Sequence, residues 1–217
     1  IVRTLCYTTK LVSAIQADKG NDDLAKRFAI FSTKMSQTRA NLRLLDDLPM
    51  IQYSMDYGWG EKEPDRIMAG LGVVTNVVDH LYYPVDKICW LIEQKILNVK
   101  NGEKWDVINS VLWVASIYLN LMKTVRLVHV MRLHRQDIDK IENESSVALN
   151  RLQAKEQMEM ISIVRLSLDF VHAASTLPNG WLWGGKFSNY TVGLIGTTSS
   201  FIGLYQYFAK KRAAKNQ

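Results

Sequence analysis

Residues 188–209 run for 22 positions without a formal charge, and residues 107–122 run for another 16. Stretches like these must be covered by the rest of a protein or by lipid. As helices they measure about 33 Å and about 24 Å, against a bilayer hydrocarbon core of about 30 Å. The longer run crosses that thickness by itself. The shorter one does so only if the helix continues past Lys123 and Arg126, whose long side chains can reach back to the headgroups. Length alone leaves a second reading open for both: a core helix of a soluble bundle.

Two features of the C-terminal run favour lipid. Trp181, Trp183, Phe187 and Tyr190 gather at one end and Tyr205 and Tyr207 at the other, the placing of aromatic belts around a spanning helix. Its small residues are also segregated. Gly196, Ser200 and Gly203 share a face opposite Leu194, Phe201, Ile202 and Tyr205, and small faces let membrane helices approach or self-associate. The basic residues Lys210, Lys211, Arg212 and Lys215 then suit a tail near anionic headgroups.

The remainder also reads as helix. Four prolines and twelve glycines serve 217 residues, too few for the turns of a β-sandwich. The expectation is an all-α membrane protein with an amphipathic N-terminal helical region and two transmembrane helices. Residues 1–104 form that region, and 105–135 the first span and its extension. Residues 136–187 form a helical loop region, and 188–217 the second span with its basic tail. Asn21 is expected to cap a helix and Pro64 to open one. Pro84 is expected to kink or break the segment 65–84, with a separate helix over 86–99 stopped at Asn101–Gly102. Arg165 and Asp169 are spaced for an i,i+4 pair.

Within residues 22–48 lies a basic amphipathic helix. Leu24, Phe28, Phe31, Met35, Leu42 and Leu45 recur at steps of three and four, with Thr38 in the one gap. Lys26, Arg27, Lys34, Arg39 and Arg43 are its only charges between 24 and 45. The pattern allows a bundle helix with a solvated basic edge, the more ordinary reading. It also allows a helix lying in an anionic interface, apolar side down.

The formal charge of +6 suits anionic lipid or nucleic acid. No zinc spacing, RNP motif or helix-turn-helix pattern accompanies it, so no nucleic-acid partner is expected. Cys6 and Cys89 stand far apart without a CxxC pattern and read as free thiols. His80, His129, His134 and His172 lack ligand spacing and read as packing or surface residues. Asp46 and Asp47 read as the end of the basic helix, paired with nearby cations. Phosphate-loop, zincin and nucleophile-elbow motifs are missing. Neither an enzyme, a cofactor nor a metal is expected.

Three strings resemble the peroxisomal membrane protein 11 family, especially its gamma-type branch: "LRLLDDLPMIQYSMDYGWG" from residue 42, "DHLYYPVDKICW" from 79, and "WLWGGKFSNYTVGLIGTTSS" from 181. They are similar to the family's L-R-L-x-D-D-L segment with a Y-G-x-G turn, its L-Y-Y-P-x-E-H-x-x-W, and its L-W-x-G-[RK]-F leading into V-G-L-x-G-T-x-S-S. Asp86 and Lys87 stand where the second pattern has Glu-His, and Pro49 interrupts the first. The resemblance implies a multi-pass protein of the peroxisomal membrane with both termini cytosolic. It implies membrane elongation before division, self-association, and association with family members. It also implies contact with a dynamin-like GTPase and tail-anchored adaptors. The family's remodelling helix falls on residues 22–48, which turns the choice there towards insertion. A receptor for peroxisomal membrane proteins would read the basic tail. A small-metabolite pore, lined by Asn120, Thr197 and Ser200, is the alternative, and a soluble helical adaptor a further one.

Overall fold

The computed structural model describes residues 1–45, 47–139 and 146–215, without the side chains of Asp137, Asp139, Ser146, Val147, Ala148 and Lys215. Its elements are α1 (Val2–Asp18), α2 (Asp22–Arg43), α3 (Asp47–Tyr57), α4 (Arg66–Glu93), α5 (Gly102–Asp139), α6 (Ser146–Ala174) and α7 (Asn189–Lys215). The all-helical class expected from the sequence stands; among the described residues there is no strand.

Neighbours in space follow the order α2, α1, α7, α6, α5, α4. Side chains close this row into a ring. At the end of α2, Arg43 donates to the Tyr82 hydroxyl at 3.0 Å and pairs with Asp86 at 3.1 Å. The Trp90 indole of α4 donates to Asn41 Oδ1 of α2 at 2.9 Å. Asp47, at the start of α3, pairs with Lys87 of α4; Asp46 lies outside the described residues.

Local chemistry explains most boundaries. Asp22 and Asp23 sit in the first turn of α2, where the helix dipole favours them. Asn21 occupies the N-cap without a side-chain cap bond and donates to Gln16 instead. Pro49 lies in the first turn of α3, where no backbone N–H is needed. Asp65 caps α4 by accepting from the Met68 N–H, so Pro64 lies before the cap rather than in the first turn.

Three expectations need correction. Pro84 does not break its helix: α4 continues through it to Glu93. One backbone bond is lost there, but Arg43 holds Tyr82 and Asp86 on either side. The separate helix over 86–99 is therefore absent, and the chain turns at Lys95, whose φ is 59°. Asp169 pairs not with Arg165 but with Arg3, 166 positions away. The basic helix ends at Arg43, with Leu44 as its cap, so the expected segment 22–48 runs past α2 into the first residues of α3.

Candidate membrane interface and its polar interior

Burial in this molecule runs against the habit of water-soluble proteins. Among the described residues nine apolar and nine polar side chains are buried, and the largest fully buried side chain is a serine, Ser199. Phe31, Leu42, Ile51, Trp59, Ile67, Val77, Leu81 and Phe201 are meanwhile more than two-fifths exposed. A soluble chain pays dearly for so much apolar surface in water. In lipid the arrangement is favourable: apolar side chains face the solvent, and small and polar ones make the helix contacts.

The polar seam runs between α1, α6 and α7. The Arg3 guanidinium meets the Asp169 carboxylate and donates to Ser199 Oγ at 3.1 Å. Ser199 donates in turn to Asp169 at 2.5 Å. One turn on, the Tyr7 hydroxyl meets His172 Nε2 at 2.7 Å, and the ring of Trp113 stands edge-on to the same imidazole. Gln206 of α7 donates to Ser162 Oγ and the Met158 carbonyl of α6.

Glycines let α7 come this close. A Cβ added at Gly193 would lie 2.8 Å from the backbone N and Cα of Leu11, and one at Gly196 would overlap the Tyr7 ring. Ser200 is buried and donates to the Gly196 carbonyl; Gly203 faces the Arg165 side chain. The small-residue face expected for packing or self-association is thus occupied within the chain, by α1 and α6. Asn120 donates to the Ser116 carbonyl of its own helix, and no bond joins it to Ser200 or Thr197.

Among the described residues one helix is long and apolar enough to cross a bilayer, by length and composition: Gly102–Gln136 in α5, 35 residues containing an 18-residue stretch with a mean hydropathy of 1.4. Almost none of its apolar window is buried within the chain. This reverses the order expected from sequence, where residues 188–209 were the stronger candidate. Lys123 and Arg126 do not reach outward from this helix. They pair with Glu63 at 3.0 Å and Asp65 at 2.7 Å, in the link between α3 and α4. The Arg126 guanidinium and the Met68 N–H together hold the Asp65 carboxyl below the usual range. Further along, Arg132 and Arg135 share Glu156 of α6.

α2 divides as an interfacial helix does. Ala25 and Ser32 are buried against α1, while Leu24, Phe31 and Leu42, with Leu45 just past the helix end, are exposed and Phe28 and Met35 half-buried. Its five cations part company. Lys26 and Lys34 are exposed, and Arg27 pairs with Asp23 on the surface. Arg39 turns inward over the Tyr7 ring, 5.3 Å from its centroid, and Arg43 is taken up by Tyr82 and Asp86. On α4, Ile67, Val74, Val77 and Leu81 form a second exposed apolar stripe that helical spacing also carried. At the far end, Lys210, Lys211 and Arg212 are exposed. Burial pushes the Cys89 thiol up to about 12, so it stays protonated and a poor nucleophile.

The family model for Peroxisomal biogenesis factor 11 (PEX11) matches residues 1–208. The chain belongs to that family. It is 32% identical over 222 residues to "Peroxisomal membrane protein 11C" of Mus musculus, covering 99% of this chain and 90% of the mouse protein. It is 30% identical over 210 residues to "Peroxisomal membrane protein 11C" of Homo sapiens, covering 95% and 87%. These are the gamma-type relatives that the three quoted strings resemble. No solved structure shows a significant match. Membership in PEX11 makes this a chain of peroxisome biogenesis, and it agrees with lipid as the solvent of the inverted exterior.

Proposed function

We propose that this protein resides in the peroxisomal membrane and bends it, promoting elongation before division. The supporting observation is the partition of α2: its packed face is small and polar, and its large apolar stripe faces out. Leu24, Phe28, Phe31, Met35, Leu42 and Leu45 enter the cytosolic leaflet to shallow depth. Lys26, Arg27 and Lys34 attract anionic headgroups, while Arg39 and Arg43 orient the helix on the rest of the chain. Area added to one leaflet favours positive curvature. α5 is the anchor, α7 a second span on the other side of α6, and both termini are cytosolic. The exposed Lys210, Lys211 and Arg212, with Lys215, are available to the receptor for peroxisomal membrane proteins. Copies of this chain and of family members concentrate the wedges, and the dynamin-like GTPase with its adaptors acts on the narrowed tubule.

The test is reconstitution of the full chain into anionic liposomes, with tubule formation read by electron microscopy. Phe31→Glu, which places a charge in the exposed stripe, is expected to abolish tubules while leaving helix content unchanged. Normal tubulation by a folded Phe31→Glu variant overturns the proposal. Ion conductance without tubulation supports the small-metabolite pore in its place.

A further inference from the structure

Most of the half-buried cations among the described residues pair with carboxylates, and three of them, Lys10, Arg39 and Arg165, do not. Arg3 has Asp169, Arg43 has Asp86, Lys87 has Asp47, Lys123 has Glu63, Arg126 has Asp65, and Arg132 and Arg135 share Glu156. Arg39 is half-buried and has none. It lies over the face of Tyr7 and beside the Cys6 thiol. Lys10, also half-buried, meets no carboxylate either. A cation partly withdrawn from water is costly unless an anion compensates it.

Both side chains line the same cavity. It measures about 900 Å³ and lies between α1, α2 and the first turn of α7. Cavities of about 300–1,000 Å³ hold small ligands or part of a larger one. The single acidic residue in its wall is Asp18, which is exposed at the end of α1. Ser36 and Ser188 add hydroxyls. The first turn of α7, capped where Ser188 Oγ accepts from the Thr191 N–H, borders the same space, and a helix N-terminus adds to the positive potential. Arg39 stacks on the Tyr7 ring face, and a planar guanidinium can direct two parallel N–H bonds to one anion.

We propose that this cavity is a binding site for a phosphate group, held by Arg39 with Lys10. A phosphate offers several acceptor oxygens and a concentrated negative charge, matching a forked donor, an ammonium and hydroxyls converging from three helices. The group belongs either to the headgroup of an anionic lipid or to a soluble phosphate. The site is separate from the outer face of α2 and does not depend on that helix entering a membrane.

The experiment is calorimetric titration of the full chain in a neutral detergent. The probes are inorganic phosphate, dihexanoyl phosphatidic acid, and dihexanoyl phosphatidylcholine as the zwitterionic control. At least one of the first two is expected to bind, and phosphatidylcholine more weakly. Arg39→Gln should weaken binding about tenfold or more, the range of one charge-assisted bond. Lys10→Gln should weaken it severalfold, Arg39→Lys should recover part of the loss, and Lys155→Gln, on exposed α6 surface with the same charge change, should shift it less than about twofold. Phosphatidic acid bound while inorganic phosphate is not identifies a lipid headgroup; comparable binding of both identifies a soluble phosphate. The proposal is overturned if neither probe binds, if phosphatidylcholine binds equally, or if Lys155→Gln lowers affinity as much as Arg39→Gln. Circular dichroism checks that each variant is folded. Should Arg39→Gln fail that check, Lys10→Gln against Lys155→Gln decides.

Discussion

α5 and α7 are both long helices with an uncharged stretch, and the chain uses them in opposite ways. α5 is rich in large apolar residues, yet almost none of its apolar window is fully buried; most of it is half-exposed. α7 is diluted by Gly, Ser and Thr, and Ser199, Ser200 and Gln206 are among its buried residues. One helix offers its surface to the solvent, and the other offers its surface to its neighbours. In water those assignments would be exchanged, because apolar area would drive the packing. Here, hydrophobicity marks what faces lipid, and smallness and hydrogen bonding mark what is packed.

The comparison is broken most severely at the polar seam. Asp169→Ala removes the carboxylate from a largely buried pair and leaves Arg3 and Ser199 without their shared acceptor. A loss of about 3–5 kcal/mol is expected, read as a fall in the midpoint of thermal unfolding in detergent. A wild-type midpoint would mean that α7 is held by something other than this seam.

A charge in α5 tests the other half. Leu119→Asp puts a carboxylate near the centre of Gly102–Gln136, at a cost of about 2.5–3.5 kcal/mol for insertion. Glycosylation mapping in microsomes should show a loss of the spanning form, and carbonate should release the variant. Unchanged insertion would place α5 outside the bilayer.

The glycines of α7 sharpen the contrast with smaller effects. Gly193→Ala brings a methyl group against the Leu11 backbone, which cannot yield as a side chain end can. A loss of about 1–3 kcal/mol follows, again read by thermal unfolding. At Gly203 an added methyl meets nothing nearer than 3.7 Å. Gly203→Ala should change stability by less than about 0.5 kcal/mol. Equal effects of the two substitutions would show that α1 and α7 are not in backbone contact.

Local patterns in the sequence carried the helical class and the stripe of α2, because spacing of three and four is a property of neighbouring residues. The exposed stripe of α4 had the same signal in Ile67, Val74, Val77 and Leu81, but Pro84 drew the reading towards a break. That failed because Arg43, some forty positions earlier, clamps both sides of the proline. The order of the two candidate spans came out reversed for a related reason. Gly196 and Ser200 do mark close packing, but nothing in their spacing says that Tyr7 is the partner. Asp169 is the one acidic residue in the apolar second half of α6, itself a sign of a partner cation, and its nearest candidate, Arg165, was the wrong one. Which cations of α2 face outward was equally invisible, since Arg39 and Arg43 turn inward towards Tyr7, Tyr82 and Asp86.

The pairing of Arg3 with Asp169 also sets an order in time. A ribosome adds roughly 5–20 residues per second, so Arg3 waits about 10–30 s before its carboxylate exists. Through that interval α1 lacks both the anion and the α7 surface against which Tyr7 packs. α1 can pack on α2 early but is fastened to α6 and α7 only once both have been made, and until then the nascent chain must be shielded by whatever escorts it to the membrane.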